Sequence, residues 1–275
     1  MRVGIIGGNG GMGKLIREFI SEDFTVTVSD VDTELSNREL AEKSDIIVIS
    51  VPIERTVPVI EEIAPILREE QVIMDITSMK CEPMEAMRKS KAVVIGLHPM
   101  FGPSVSTISG QTVVLTPDID HEWVEKVISY LKGKGMRCKI TTPEKHDEMM
   151  GLIQVLVHFN TIAMGHTMAS LGFDIEETLG FTSPIYRMEL GMIGRIFAQE
   201  GSLYGNIQMR NPKGEEILRR HMETIRKLFK IIEDKDMESF IQKFRETAGF
   251  FKDFKHTALK ESEDYINGRD NHTRS

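Results

Sequence analysis

The chain has little of what marks an extracellular, metal-bound or membrane protein. Its two cysteines among 275 residues, Cys81 and Cys138, lie far apart with no CxxC pair and no histidines at metal-ligand spacing. That excludes a disulfide framework and a zinc site, and it fits a reducing cytoplasm. No uninterrupted apolar run approaches the roughly 20 residues that a membrane helix needs. Basic charge is short as well, with 34 Lys and Arg against 42 Asp and Glu and a formal net charge of −8. Nucleic-acid binding needs clustered positive surface, so neither nucleic acid nor a membrane is an expected partner, and small-molecule chemistry remains. Of the 17 methionines, nine fall from residue 149 onward at helical spacing, where core filling is the ordinary reading. The length suits two domains of common size.

What the chain does have is glycine where a turn needs it. Arg2-Val3-Gly4-Ile5-Ile6 is strand-like, and a helical pattern begins at Lys14. Between them Gly8, Gly10 and Gly13 fit G-x-G-x-x-G, with Asn9, Gly11 and Met12 completing the loop. In that strand-to-helix setting the first glycine makes the turn and the second lets a pyrophosphate reach the backbone. The third lets helix and strand pack closely, with the helix N-terminus facing the anion. A second β-rich run, Thr25 to Ser29, ends in Asp30, at the separation expected of a carboxylate that holds an adenosine ribose. Such a carboxylate repels a 2′-phosphate and no Arg follows it at once, so NAD is expected over NADP.

Further strands follow at Ile46 to Val51 and at Val72 to Asp75, with helical patterns between them. Ser36-Asn37-Arg38-Glu39 has capping-box spacing, and the helix from about residue 54 to 67 is expected to bend or restart near Pro58 and Pro65. This alternation gives a doubly wound α/β sheet. Ligands bind at the carboxyl edge of such a sheet, which places Val51 and Pro52 beside the cofactor and makes Ser78 and Lys80 candidates for cofactor or substrate contact. Ala92 to Ile95 reads as a buried strand ended by Gly96. His98 then stands at its carboxyl end on a loop stiffened by Pro99, Gly102 and Pro103. Strands at Thr112 to Thr116 and Met136 to Ile140 complete the sheet.

The pattern changes at Thr142-Pro143, an N-cap followed by proline at the first helical position, and no strand is expected beyond it. The chain thus divides into residues 1–141, a dinucleotide-binding domain, and residues 142–275, an all-helical one. At about 100° per residue, Asp147, Gly151, Gln154, His158, Thr161 and Gly165 share one face of the first helix. Met149, Ile153, Leu156, Val157 and Met164 share the other. The polar stripe reads as a cleft wall bearing Gln154 and His158. His146 falls toward the apolar side, where a structural hydrogen bond and a part in chemistry both stay open. A later helix from Pro184 to Ala198 puts Arg187, Gly191 and Gly194 on one face beside Arg195. Glycines there suggest a close approach, and the arginines suggest a carboxylate clamp, with an ion pair to Glu189 or Glu200 as the plainer alternative. Amphipathic helices over residues 211–233 and 236–254 carry more apolar positions, from Leu218 to Phe254, than one helical domain can bury, which points to a second subunit. The tail after Glu261 is polar and expected to fray.

Several of these stretches together resemble the prephenate dehydrogenase family: Gly8 to Gly13, Asp75-Ile76-Thr77-Ser78-Met79-Lys80, Gly96-Leu97-His98-Pro99-Met100-Phe101-Gly102-Pro103, Glu144-Lys145-His146-Asp147, His158-Phe159, Ser183 to Arg187 and Gly194-Arg195. The resemblance implies a Rossmann-type domain followed by a helical dimerisation domain, and NAD-dependent oxidative decarboxylation of prephenate to 4-hydroxyphenylpyruvate in tyrosine biosynthesis. It further implies His98 acting at the substrate 4-hydroxyl with Ser78 close by, His158 and Arg195 binding substrate with Arg187 near, and a homodimer. Some members carry a fused chorismate mutase or regulatory domain; neither is expected here. Arogenate dehydrogenase of the same family is the nearest alternative. Further off are a hydroxy-acid or imine dehydrogenase, which would more naturally use a helix lysine, and a sensor that binds NAD without turnover.

Overall fold

The computed structural model describes residues 1–270, and it divides the chain into two compact units. The first comprises Met1–Val155 and Gly201–Gly214, the second Leu156–Glu200 and the chain from Glu215 onward. The sheet ends near residue 140 as expected, yet two helical segments after it, residues 143–155 and 201–214, group with the sheet in the first unit.

Seven strands make one sheet in the order β2-β1-β3-β4-β5-β6-β7. These are β1 (Arg2–Ile6), β2 (Thr25–Ser29), β3 (Ile46–Ile49), β4 (Val72–Asp75), β5 (Val93–Pro99), β6 (Thr112–Pro117) and β7 (Arg137–Ile140). All neighbours are parallel except β5 and β6. The middle strands are apolar runs because both faces are covered, broken only near their carboxyl ends by Asp75 of β4 and His98 of β5. Ile47 and Ile49 enter the core under α2 (Asn37–Lys43), α3 (Ile53–Ile63) and α4 (Cys81–Met87), while Ile46 and Val48 enter the opposite one. That opposite face carries α1 (Gly11–Ile20) and α5 (Glu122–Gly133), with an apolar cavity of about 180 Å³ between them, lined among others by Met12, Phe19, Phe101 and Trp123.

The local signals behave as their chemistry requires. Ser36 forms the capping box with Glu39, and Thr142 caps α6 (Pro143–Met150) by accepting from the Lys145 N–H. The α3 helix runs through Pro58 and restarts as a 3₁₀ turn over Ala64–Ile66. Two expectations fail. The strand expected to stop at Gly96 continues through Pro99, so His98 lies inside β5, opposite Val114 of β6, and not on a loop. Gly96 is there for space: a Cβ on it would sit 2.3 Å from Thr116 Oγ1 and 3.0 Å from Lys80 Cδ. The single long helix expected after Thr142 is broken by a π-helical stretch, Gly151–Leu156, before α7 (Val157–Leu171).

In the second unit α7 packs on α9 (Pro184–Phe197) where Gly165 admits the Phe197 ring; a Cβ there would be 2.3 Å from it. Gly191 and Gly194, expected to mark a close approach, have nothing within 4 Å of a Cβ among the described residues. The short α8 (Ile175–Leu179) lies between them in sequence. The α10 helix (Gly201–Arg210) belongs to the first unit, where Asn206 donates to Glu54 and Gln208 to the Val155 carbonyl. The remaining helices are α11 (Gly214–Glu233), α12 (Met237–Phe251) and α13 (Phe254–Asp270). The tail expected to fray after Glu261 is helical as far as it is described, and residues 271–275 lie outside the described residues. No described helix is long and apolar enough to cross a membrane.

Candidate active site

The glycine loop between β1 and α1 forms an anion cradle. The left-handed turn falls at Gly7 (φ 80°), one residue before the glycine expected to make it, and a Cβ there would meet the Ser50 carbonyl oxygen and Val51. Gly8 packs on Val28, and Gly13 on the Gly7 carbonyl, where a Cβ would sit at 2.4 Å. These contacts draw the helix onto the strand as the fingerprint requires. The helix N-terminus carries no side-chain cap and no acidic residue in its first turn, so its backbone N–H groups are left for a ligand. At the end of β2, Asp30 accepts from the Asn9 and Val31 N–H groups, and the Asn9 side chain donates to Asp32 at 2.7 Å. Pro52 precedes α3 beside the same turn. The residues present therefore fit the pyrophosphate and ribose of a dinucleotide.

A chain of buried side chains lies on the face of the sheet toward α4. Residues 94, 96 and 98 of β5 point there, because side chains alternate along a strand. His98 Nδ1 is 2.8 Å from His146 Nε2, and His146 Nδ1 is 2.7 Å from Asp147 Oδ1. Asp147 also accepts the backbone N–H of Lys80 at 2.8 Å and of Cys81 at 3.0 Å, while its own carbonyl receives the Asn211 amide. Burial alone would raise the Asp147 pKa, but the bonds from His146, Cys81 and Lys80 outweigh it and hold the carboxyl below its ordinary value. The His98 pKa lies well below the usual histidine range, from burial first and then from His146 and the Lys80 charge. The free end of this chain is His98 Nε2, with the Gln154 side-chain nitrogen 3.4 Å away. That separation is long for a hydrogen bond and yields readily to a better partner.

Beside it lies a second polar cluster in which every bond to Asp75 falls on one carboxylate oxygen, while the other, Oδ1, is buried without a hydrogen-bond partner among the described residues. The Lys80 ammonium meets the Asp75 carboxylate, both side chains fully inaccessible, and Thr77 donates to the same carboxylate. Burial lowers the Lys80 pKa, opposed by Asp75 and Asp147. Ser78, two residues before it, is half-buried.

Comparison with known proteins gives this arrangement a lineage. Residues 21–140 match the model described as prephenate dehydrogenase, nucleotide-binding domain, and residues 142–246 the one described as prephenate dehydrogenase, dimerization domain. A Haemophilus influenzae T-protein is 31% identical across 95% of the chain and 70% of its own length. The chain belongs to the prephenate dehydrogenase family. A Methanocaldococcus jannaschii protein, described as a probable arogenate/prephenate dehydrogenase, is 39% identical over 91% of the chain, which spans 61% of that relative's length. Among solved structures, prephenate dehydrogenase from A. aeolicus with hydroxyphenyl propionate and NAD+ has a TM-score of 0.74 at 17% identity, covering 94% of this chain and 98% of that one. Synechocystis arogenate dehydrogenase has a TM-score of 0.68 at 19% identity, covering 92% and 100%. At these identities the two share the fold.

The residues of this family member distribute unevenly over the expected site. His98, His146, Asp147 and Gln154 come together in the first unit; Asp147 and His146, neither of them singled out as a site residue, are its deepest members. The adjacent pair is what the helix projection hides, because neighbours on a helix point about 100° apart. Lys80 requires a correction: its ammonium is spent on Asp75 inside the protein and presents no charge to a substrate. Met12 contributes backbone at the helix start, while its side chain lines the apolar cavity on the opposite face. The expected stripe also breaks. Asp147 and Gly151 are buried within the first unit, whereas Ile153, Val157 and Met164, placed on the apolar face, are exposed by 50%, 50% and 40%. The π-helical stretch, with its wider turn, shifts the register on which the projection relied. His158, Arg187 and Arg195 all lie in the second unit: His158 is half-buried, which lowers its pKa, and both arginines are exposed.

Proposed function

We propose that the chain oxidises and decarboxylates prephenate with NAD, giving 4-hydroxyphenylpyruvate, carbon dioxide and NADH. The observation that carries this reading is an inaccessible neutral histidine whose one free nitrogen faces only a distant amide. Such a nitrogen accepts a hydroxyl proton. Dinucleotide held on Gly8 to Gly13 and Asp30 supplies the hydride acceptor. His98 takes the proton of the 4-hydroxyl as hydride leaves the same ring carbon. The ring carboxylate then departs as carbon dioxide, its bonding electrons complete the aromatic ring, and the proton returns to the phenolic oxygen. Base assistance of this kind contributes about 10² to 10⁴ in rate. Ser78 is assigned beside His98 at the hydroxyl. Arg195, with Arg187 and His158, is assigned to the substrate carboxylates because a guanidinium pairs with carboxylate through two parallel bonds.

The second reading is arogenate, whose side chain bears an amine in place of the keto group; it is kept because the M. jannaschii relative's description names both substrates. A homodimer through the helical domain belongs to the same proposal, supported by apolar side chains left open on a single chain, among them Phe229, Phe244 and Phe250, exposed by 62%, 68% and 79%. NADH absorbance with each substrate and with NAD or NADP, near neutral pH, tests the reading. Turnover with prephenate and NAD upholds it, turnover with arogenate alone transfers it to the second substrate, and silence with both removes it.

A further inference from the structure

Asp147 has one chemical duty that follows from its neighbours. A carboxylate below its ordinary pKa can only accept hydrogen bonds. It therefore takes the proton of His146 Nδ1, which leaves His146 Nε2 with a lone pair. That lone pair is 2.8 Å from His98 Nδ1, so the proton between the two rings belongs to His98. One tautomer of His98 satisfies all three contacts, with hydrogen on Nδ1 and the lone pair on Nε2, the nitrogen that faces Gln154.

We propose that Asp147 and His146 are positioning residues that lock His98 in the Nδ1–H tautomer, so that Nε2 is always the acceptor presented to substrate. The proposal rests on the reading that His98 is the base. Every charged group packed near that ring bears on it: Lys80 and Asp75 neutralise each other at the end of β4, and His146 and Asp147 come from α6. When Nε2 takes a proton, the positive charge on His98 is steadied by a donor bond to a ring that Asp147 polarises, without motion of any heavy atom. Asp147 is itself anchored by two backbone N–H groups at the start of α4 and by Asn211, so the ring orientation is inherited from the fold. The same logic, an acid orienting a histidine by its tautomer, operates in serine proteases with a different nucleophile.

The decisive variant is Asp147→Asn. An amide no longer requires His146 to donate: turned with its nitrogen to His146 Nδ1, leaving the Lys80 N–H that shared Oδ1 unpaired, it donates to that nitrogen, moves the His146 proton to Nε2 and puts His98 in the Nε2–H form. Nitrogen-15 NMR of labelled histidines reads the tautomer directly, with His98 signals assigned by the His98→Asn variant. The wild type is expected as Nδ1–H, and Asp147→Asn with the Nε2–H form populated, kcat lower by about 10²-fold and KM for the substrate changed less than about threefold. His146→Phe, which removes the acceptor but not the bonds that Asp147 makes to backbone, serves if Asp147→Asn fails to fold. It should lose kcat similarly and populate the Nε2–H form. Wild-type His98 found with hydrogen on Nε2, or a folded variant with wild-type tautomer and kcat, overturns the proposal. The NMR result stands whether or not prephenate is the substrate, so a failure of the functional reading shows in the wild-type assay alone.

Discussion

Two polar clusters lie side by side on one face of the same sheet, and they differ in a single respect. Asp75 and Lys80 form a pair with both side chains inaccessible; its opposite charges meet inside the protein, and the Lys80 charge is felt at His98 only as a minor depression of its pKa. Asp147, His146 and His98 form a line of comparable burial whose last nitrogen has no close partner. Such a pair can stabilise a loop or mark a register, but with both side chains inaccessible even its unpaired Asp75 Oδ1 is presented to no substrate. An open line delivers a weakly held acceptor to one place. The contrast separates structure from chemistry among residues that the sequence presents as one polar group.

The largest effect that would sharpen this contrast is loss of the open end. His98→Asn is expected to lower kcat by about 10² to 10⁴ while melting temperature and NAD affinity stay near wild type. Wild-type kcat/KM should also hold level as pH falls from 8 through 6.5 and decline only lower, because burial depresses the His98 pKa and keeps the imidazole neutral there. A decline centred at or above pH 6.5 would assign the activity to another group. The closed pair should answer oppositely. Lys80→Met leaves Asp75 charged and alone in the core, which costs about 3–5 kcal/mol of stability. Adding Asp75→Asn should recover most of that in a urea melt. If the single variant unfolds no more easily than wild type, the pair is not the closed unit described. The smallest effect concerns the platform beneath the open line: Thr142→Ala removes the α6 cap and should cost about 1 kcal/mol, with kcat unchanged. A large fall in kcat there would mean that the helix, and not its two side chains, sets the geometry.

Much of the first unit is legible from its sequence. Its strands announce themselves as short apolar runs, the glycine fingerprint sits between strand and helix, and Asp30 falls where a ribose carboxylate should. His98 was visible from its neighbours, though for a partly mistaken reason, since Gly96 keeps the strand going by leaving room for Lys80 and Thr116. The rest was hidden by rules that hold on average. A lysine after a Thr-Ser turn is normally solvated, and nothing in Ser78-Met79-Lys80 says that its ammonium will turn inward to Asp75. A helix projection assumes one constant turn angle, which the π-helical stretch at Gly151–Leu156 violates. Exposed phenylalanines of α12 follow core spacing and yet meet no core within one chain.

Cys81 adjoins Lys80 and lies against Asp147, at the edge of the reactive line. Burial and then the neighbouring carboxylate push its thiol pKa up to about 12. Since only a thiolate attacks peroxide or an alkylating reagent, near neutral pH on the order of one molecule in 10⁴ to 10⁵ carries the reactive form. Burial, with the Asp147 carboxylate beside it, thereby holds the adjacent sulfur in its unreactive thiol form, so that in this corner of the protein protons are mobile where electrons are not.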